Sequence, residues 1–255
     1  MSARLANKIA VVTGIGAGIG RGIALRYARE GATVIGCDIN PATAEATVET
    51  ARAEGLTLSS VHPCDLTQEG DVSRLIGAAG AHGRIDILVN AAAIAPHTAR
   101  AADMSYVPQW ADTIKGEVDI VFLACKAAWP YLEASGGASI VNFASVNAFR
   151  GSTNFGMVAH CAGKGAVLAM TRQLALEGAP TIRANTISPG LVASAATASA
   201  KAMDGPIGAA ILSRIPLKRL GTPDDIAWCA VFLGSDESAW ITGANVPVDG
   251  GVLAN

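Results

Sequence analysis

The alternation of short β-branched runs with longer helical patterns is the feature that most constrains how this chain folds. The first run, Lys8 to Thr13, is closed by glycine, and similar runs recur between segments of helical periodicity. This alternation predicts parallel strands joined by crossover helices, and right-handed crossovers make the sheet doubly wound, with helices on both faces. The predicted strands are Lys8 to Thr13, Ala32 to Cys37, Leu56 to Val61, Ile85 to Asn90, Ala138 to Phe143, Ile182 to Ile187 and Ile241 to Val248. The predicted helices are Gly18 to Glu30, Pro41 to Glu54, Gln68 to His82, Trp110 to Glu133, Val158 to Glu177 and Asp224 to Leu233.

The domain organisation follows from the length and the absence of dividing segments. The chain has 255 residues, 51% of them hydrophobic, and α/β chains of this length are commonly one domain with a large core. No repeat, low-complexity tract or linker divides the sequence. We therefore expect a single domain over residues 1–255.

Charge and cysteine usage exclude several classes of partner. The 19 Lys and Arg residues nearly balance 21 Asp and Glu residues, and no basic block could neutralise a row of phosphates, so nucleic acid is not an expected partner. The five cysteines are widely spaced without a C-x-x-C pair, which predicts reduced thiols and no metal site. No apolar run of secretory or membrane-spanning length is present, so we expect a soluble cytoplasmic protein without a membrane partner.

A glycine-rich turn from Thr13 to Gly20 directly follows the first strand and opens the first helix. Backbone N–H groups and the helix dipole at such a place favour a pyrophosphate, and glycine lets the backbone approach it closely. The spacing differs from the general G-x-G-x-x-G fingerprint, so the position in the fold carries the prediction. The predicted phosphate-binding residues are Gly14, Gly16, Gly18, Ile19 and Gly20.

Two aspartates predict how the rest of a dinucleotide is bound. Asp38 ends the second strand, where its carboxylate can accept from the adenosine ribose hydroxyls and repel a 2'-phosphate, which favours NAD over NADP. The alternative is that Asp38 is only a turn residue. Asp65 follows the third strand and could receive the adenine amino group, or it could cap the next helix.

Motifs along nearly the whole chain resemble those of the short-chain dehydrogenase/reductase family. They are T-G-x-x-x-G-x-G at Thr13 to Gly20, Asp65-Leu66, Asn90-Ala91-Ala92-Ala93, Ser145, Lys164, Pro189-Gly190, Ile241-Thr242-Gly243 and Val248-Asp249-Gly250-Gly251. The resemblance implies a seven-stranded Rossmann-type fold, hydride transfer between a nicotinamide and an alcohol or carbonyl, and often a homotetramer. It adds Leu66, Asn90, Lys164, Pro189, Gly190 and Val192 to the expected cofactor contacts.

The resemblance also implies a catalytic group, from which this sequence departs. The family keeps a tyrosine four residues before its lysine, and here His160 stands four residues before Lys164. Ser145 resembles the serine that polarises the substrate oxygen. The segment between Ser145 and His160 is two residues longer than the commonest spacing in the family. Seven residues after Trp110, where the family has asparagine, this chain has Glu117. The candidate catalytic residues are therefore Ser145, His160, Lys164 and Glu117.

A histidine can perform the proton exchange expected of the tyrosine. Tyrosine has a reference pKa of about 10, which must be lowered before it acts as a base, whereas that of histidine is about 6.5. We therefore expect His160 to be the general base in alcohol oxidation and the acid in reduction. Three alternatives stay open: catalysis has been lost, the site performs a redox-neutral step such as elimination while retaining NAD, or the protein only senses NAD.

The segments after the strand ends predict where a substrate binds. The segment Leu191 to Arg214 follows the sixth strand and could form a lid, or it could be an ordinary surface helix. Together with Ile94 to Tyr106 and Ala148 to Met157, this segment is expected to line the substrate pocket. The mainly small, apolar residues of the three segments suggest that the substrate is an uncharged alcohol or ketone. The family resemblance also implies that the long, apolar-faced helices Trp110 to Glu133 and Val158 to Glu177 form a dimer or tetramer interface.

Overall fold

The fold contains one seven-stranded parallel sheet. The structure is a computed structural model that describes residues 3–94, 97–152, 156–193 and 206–254. The sheet has the order β3-β2-β1-β4-β5-β6-β7, and every neighbouring pair is parallel. The predicted doubly wound α/β fold is therefore confirmed. The strands are β1 (Ile9–Thr13), β2 (Thr33–Cys37), β3 (Leu58–Val61), β4 (Ile87–Asn90), β5 (Ala138–Phe143), β6 (Ile182–Pro189) and β7 (Asn245–Val248).

Helices follow the strands and cover both faces of the sheet. Local signals start several of them: Asn40 caps one helix, with proline at its first position, and Thr222 and Asp225 form a capping box at another. The helices are α1 (Gly18–Arg29), α2 (Pro41–Ala53), α3 (Glu69–Gly80), α4 (Ala111–Ile114), α5 (Ile120–Ser135), α6 (Val158–Gly178), α7 (Pro206–Ser213) and α8 (Pro223–Gly234).

The core consists of two clusters, one on each face of the sheet. Along β1, Ala10 and Val12 belong to one cluster and Ile9 and Val11 to the other, as the alternation of a strand requires. Side chains of α1, α2 and α8 complete the first cluster, and those of α3, α5 and α6 complete the second. Because both faces of the strands are covered, β1 is buried at every position, which explains its continuous apolar run.

The predicted helix Trp110 to Glu133 differs most from the observed structure. In the turn Tyr106–Trp110, which precedes α4, Val107 has an extended backbone (φ -122°, ψ 132°), and a π-helical turn at Lys115–Asp119 separates α4 from α5. A π turn contains one more residue than an α turn, so it changes the directions of the side chains around it. This interruption lies where the sequence predicted an unbroken helix, and it contains Glu117.

The predicted lid lies partly outside the described residues. Residues 194–205 fall in that part, whereas α7 forms the end of the segment. The isolated bridge between Val192 and Gly221 fixes its beginning. The lid function of the segment stays a prediction. Among the described residues, each helix is too short or too polar to cross a membrane.

Candidate active site

A cleft of about 620 Å³ lies at the carboxyl ends of the strands, where the strand order reverses at β1 and β4. In open α/β sheets this reversal is the usual place for a ligand. Of the expected cofactor contacts, those that line the cleft are Gly14, Gly18, Ile19, Gly20, Asp38, Asp65, Leu66, Gly190 and Val192.

The glycine-rich turn has the geometry of an anion-binding site. Gly14 has a φ of 73°, and a Cβ on Gly20 would overlap the carbonyl of Gly14, so both positions require glycine. The N-cap residue of α1 is Ala17, and no side chain caps that helix end or places an acid in its first turn. The uncapped end of α1 opens into the cleft and fits the pyrophosphate of a dinucleotide.

Asp38 and Asp65 are held by backbone groups at the cleft wall. Asp38 accepts hydrogen bonds from the amides of Gly16 at 2.8 Å and Asn40 at 2.9 Å. Asp65 accepts hydrogen bonds from both the backbone amide and the hydroxyl of Thr67. The hydrogen bond from the amide is the main reason why the pKa of Asp65 is lowered. Each carboxylate is fixed in place and retains further lone pairs for ligand hydroxyl or amino groups.

Four of the expected cofactor contacts lie elsewhere. Asn90 is buried and donates to Asn142 Oδ1 at 2.8 Å and to Cys125 Sγ at 3.4 Å, while Gly16 holds Asp38. These two residues, together with Lys164 and Pro189, are not among those that line the cleft. Their direct contact with a cofactor stays a prediction.

His160 and Glu117 form a close polar pair. His160 lies in the first turn of α6, and its Nδ1 is 2.6 Å from Oε1 of Glu117, which lies in the π turn at Lys115–Asp119. The side chain of Glu117 is fully buried and that of His160 is 12% exposed. With Glu117 as a carboxylate and His160 neutral, Nδ1–H donates to Oε1 and Nε2 keeps a lone pair. Nε2 is thereby the ring atom that can accept a proton from a substrate.

Lys164 lies one helical turn beyond His160. It is buried, and its Nζ donates to the carbonyl of Phe143 at 3.2 Å. Burial lowers the pKa of Lys164, and the negative charge of Glu117 opposes this shift. Lys164 and Glu117 therefore influence each other electrostatically within the buried part of the site.

Ser145 begins a short 3-10 helix, Val146–Ala148, immediately beyond β5. Its hydroxyl oxygen accepts from the amide of Asn147 at 3.1 Å, which fixes the oxygen and leaves the hydroxyl proton available for donation. The 3-10 helix packs against α6, the helix that carries His160 and Lys164.

Comparison with known proteins assigns the chain to a family. A family model described as enoyl-(acyl carrier protein) reductase matches residues 14–253. D-threitol dehydrogenase of Mycolicibacterium smegmatis is 39% identical over 253 residues, which is 97% of this chain and 94% of that protein. The chain belongs to the short-chain dehydrogenase/reductase family.

Other relatives are similar to this short-chain dehydrogenase/reductase along its full length. 2-(S)-hydroxypropyl-CoM dehydrogenase 3 of Xanthobacter autotrophicus is 36% identical and covers 100% of both chains. The crystal structure of a putative NAD(P)-dependent gluconate 5-dehydrogenase from Beutenbergia cavernae, with bound NADP, superposes with a TM-score of 0.90 at 35% identity over 100% of both chains. These relatives are oxidoreductases of alcohols and ketones, and a nicotinamide dinucleotide is the cofactor class of the family.

Gly163 lies beside the pair formed by His160 and Glu117, and the sequence did not predict it as part of the site. A Cβ on Gly163 would lie 2.7 Å from Oε2 of Glu117, and this oxygen has no hydrogen-bond partner among the described residues. Gly163 therefore provides the space that the Glu117 carboxylate occupies. A glycine in the middle of a helix pattern, three residues after His160, is the signal that could have identified it.

Proposed function

We propose that this protein is an NAD-dependent dehydrogenase that interconverts a secondary alcohol and a ketone, with His160 as the general acid and base. The observation that carries the proposal is the 2.6 Å contact between His160 and Glu117, one helical turn from Lys164. It supports an orientation in which Nε2 of His160 is available to a substrate oxygen. Family membership supports the hydride-transfer reaction.

The proton moves between the substrate oxygen and His160. In alcohol oxidation, Nε2 accepts the hydroxyl proton as the C–O bond becomes C=O, and the proton later passes to solvent. The imidazolium that forms carries a positive charge, which the buried carboxylate of Glu117 stabilises through Nδ1–H. In reduction, the imidazolium returns the proton to the forming alkoxide. A bound nicotinamide supplies the hydride acceptor or donor.

Ser145 and Lys164 have supporting roles in this proposal. Ser145 donates a hydrogen bond to the substrate oxygen, which polarises the carbonyl in reduction. An ammonium has three donors, so Lys164 retains donors beyond its bond to Phe143, and these hold the nicotinamide ribose hydroxyls. Glu117 acts through His160 and is a positioning residue.

The preference for NAD rests on Asp38. Its carboxylate lines the cleft and is fixed by two backbone amides, so it can accept from ribose hydroxyls. The 2'-phosphate of NADP at the same place would be repelled by this carboxylate, because the two hydrogen bonds hold its side chain in position.

The experiment that tests the proposal is His160→Ala, with His82→Ala as the matched control because His82 is exposed and lies after α3. Turnover of NAD with a panel of secondary alcohols is followed by NADH absorbance. Removing the proton carrier should lower turnover by about a hundredfold or more and leave NAD affinity nearly unchanged. Near-native turnover of His160→Ala would make the imidazole a structural residue. Tight NAD binding without turnover by the native protein would favour an NAD sensor.

The expected assembly is a homotetramer or a dimer. Phe122 on α5 and Leu176 on α6 are 53% and 75% exposed, which supports these two helices as the interface. Light scattering at micromolar concentration should give a dimer or tetramer. A mass equal to one chain would contradict the proposed assembly.

A further inference from the structure

A second cavity, of about 570 Å³, lies beside the segment that follows Ser145. We call it the arginine cavity, and the described residues that line it are Phe149, Arg150, Arg214 and Leu253. Two of these four residues carry guanidinium groups, and none carries a carboxylate. The described wall is therefore positively charged, and its volume suits a small ligand.

The arginine cavity adjoins the candidate active site along the chain. The amide of Arg150 donates to the carbonyl of Val146 at 3.2 Å, and Val146 directly follows Ser145. The backbone of Arg150 is thus within one helical turn of the residue proposed to polarise the substrate oxygen. Arg214 also lines the cavity and lies immediately beyond α7, at the end of the segment predicted to be a lid.

Arg150 differs from other arginines of the described surface. Arg4, Arg26 and Arg29 each form an ion pair with a carboxylate at 2.6 Å. Arg150 instead donates from Nη1 to the backbone carbonyl of Val252 at 3.2 Å, and it forms no ion pair with a described residue. One neutral bond holds the guanidinium, and its other donors remain for a ligand.

From this arrangement we infer that the arginine cavity binds the anionic end of the substrate, which is a carboxylate, sulfonate or phosphate. The planar guanidinium fork matches such groups and binds them through paired hydrogen bonds. Phe149 is 48% exposed and, with Leu253, offers an apolar wall for the carbon chain that joins the anion to the reacting carbon. This inference rests on the proposed dehydrogenase function and replaces the expectation of an uncharged substrate.

The test compares ketones that differ in charge. The probes are 4-oxopentanoate, 2-oxopropane-1-sulfonate and hydroxyacetone phosphate, with 4-oxopentanamide as the neutral match of the first. Reduction of each by NADH gives kcat/KM, and calorimetry gives the affinity of each for the protein with and without NAD. The variants are Arg150→Gln and Arg214→Gln. Arg52→Gln is the matched control, because Arg52 is 70% exposed on α2.

The native protein should prefer at least one anion to the amide by about tenfold or more in affinity, as expected for hydrogen bonds to a charged group. Each cavity variant should lose most of this preference, and Arg52→Gln should retain it. The best of the three anions identifies the acid group. Equal affinity for all anions and the amide, or a preference that survives both cavity variants, would overturn the inference.

The binding measurement separates this inference from the proposed function. Suppose that an anion binds, that this binding depends on the arginines, and that no ketone is reduced. This result would support anion binding by the arginine cavity and contradict the proposed dehydrogenase function. Reduction of 4-oxopentanamide at least as efficient as that of every anion would support the dehydrogenase and overturn the cavity.

Discussion

Substituting Glu117 by glutamine removes the charge beside His160 while nearly keeping the shape of the side chain. In the native protein, Oε1 of Glu117 is 2.6 Å from Nδ1 of His160, and Oε2 has no partner among the described residues. The glutamine carbonyl can still accept from Nδ1–H, so the ring orientation is retained. What the variant lacks is the negative charge that, in the proposed mechanism, stabilises the imidazolium during proton transfer.

The size of the effect follows from the burial and separation of the two groups. Opposite unit charges about 4 Å apart attract by about 4 kcal/mol at an effective dielectric constant of about 20. That energy corresponds to about three orders of magnitude in rate. Because the retained hydrogen bond recovers part of it, we expect Glu117→Gln to lower turnover by about a hundredfold to a thousandfold.

Stability should change in the opposite direction. Glu117 is 1% exposed, and one of its carboxylate oxygens has no hydrogen-bond partner in the described part of the chain, so an ionised Glu117 carries a desolvation cost in the folded state. A neutral amide has a smaller cost. We therefore expect the melting temperature of Glu117→Gln to be equal to or above that of the native protein.

The assay combines turnover, followed by NADH absorbance, with thermal unfolding and NAD binding. Glu133→Gln is the control, since Glu133 is an exposed residue of α5 that accepts from Trp129. Near-native turnover would refute the role of Glu117, and a lowered melting temperature would identify it as a structural residue.

Three further changes have defined outcomes. The native protein should bind NAD about tenfold or more tightly than NADP, and Asp38→Ala should reduce this difference, as measured by cofactor titration. Equal affinities of the native protein for NAD and NADP would contradict the role of Asp38. Gly163→Ala should displace the Glu117 carboxylate, because the new Cβ would lie 2.7 Å from Oε2, and turnover should fall while urea unfolding changes little. The bond from Arg219 lowers the pKa of Asp225 below its usual range, so Asp225 stabilises the fold above about pH 4 and loses this contribution as the pH falls further. Asp225→Asn should therefore lower the free energy of unfolding by about 1 kcal/mol at pH 7, and this difference should shrink as the pH falls from about 4 to about 2; a difference that stays constant over that range would contradict this account.

The fold was predictable because its signals are local and repeated. Each strand is a short apolar run, each crossover has helical periodicity, and glycines end β1, so the sheet and the place of the dinucleotide cleft follow from the sequence. The ends of elements were predicted less well: β4 begins at Ile87 rather than Ile85, and β7 at Asn245 rather than Ile241. Hydrogen bonding between strands sets these ends, and the residue types alone do not indicate it.

The sequence determined that Glu117, His160 and Lys164 belong to one region, because two lie one turn apart on a helix and the third follows from family resemblance. Only the tertiary structure decided that Glu117 and His160 touch, although they are 43 residues apart. The π turn at Lys115–Asp119 sets the direction of the Glu117 side chain, and the missing side chain of Gly163 leaves room for its carboxylate. Both conditions depend on how two helices pack, and the spacing of residues along one chain does not contain that information.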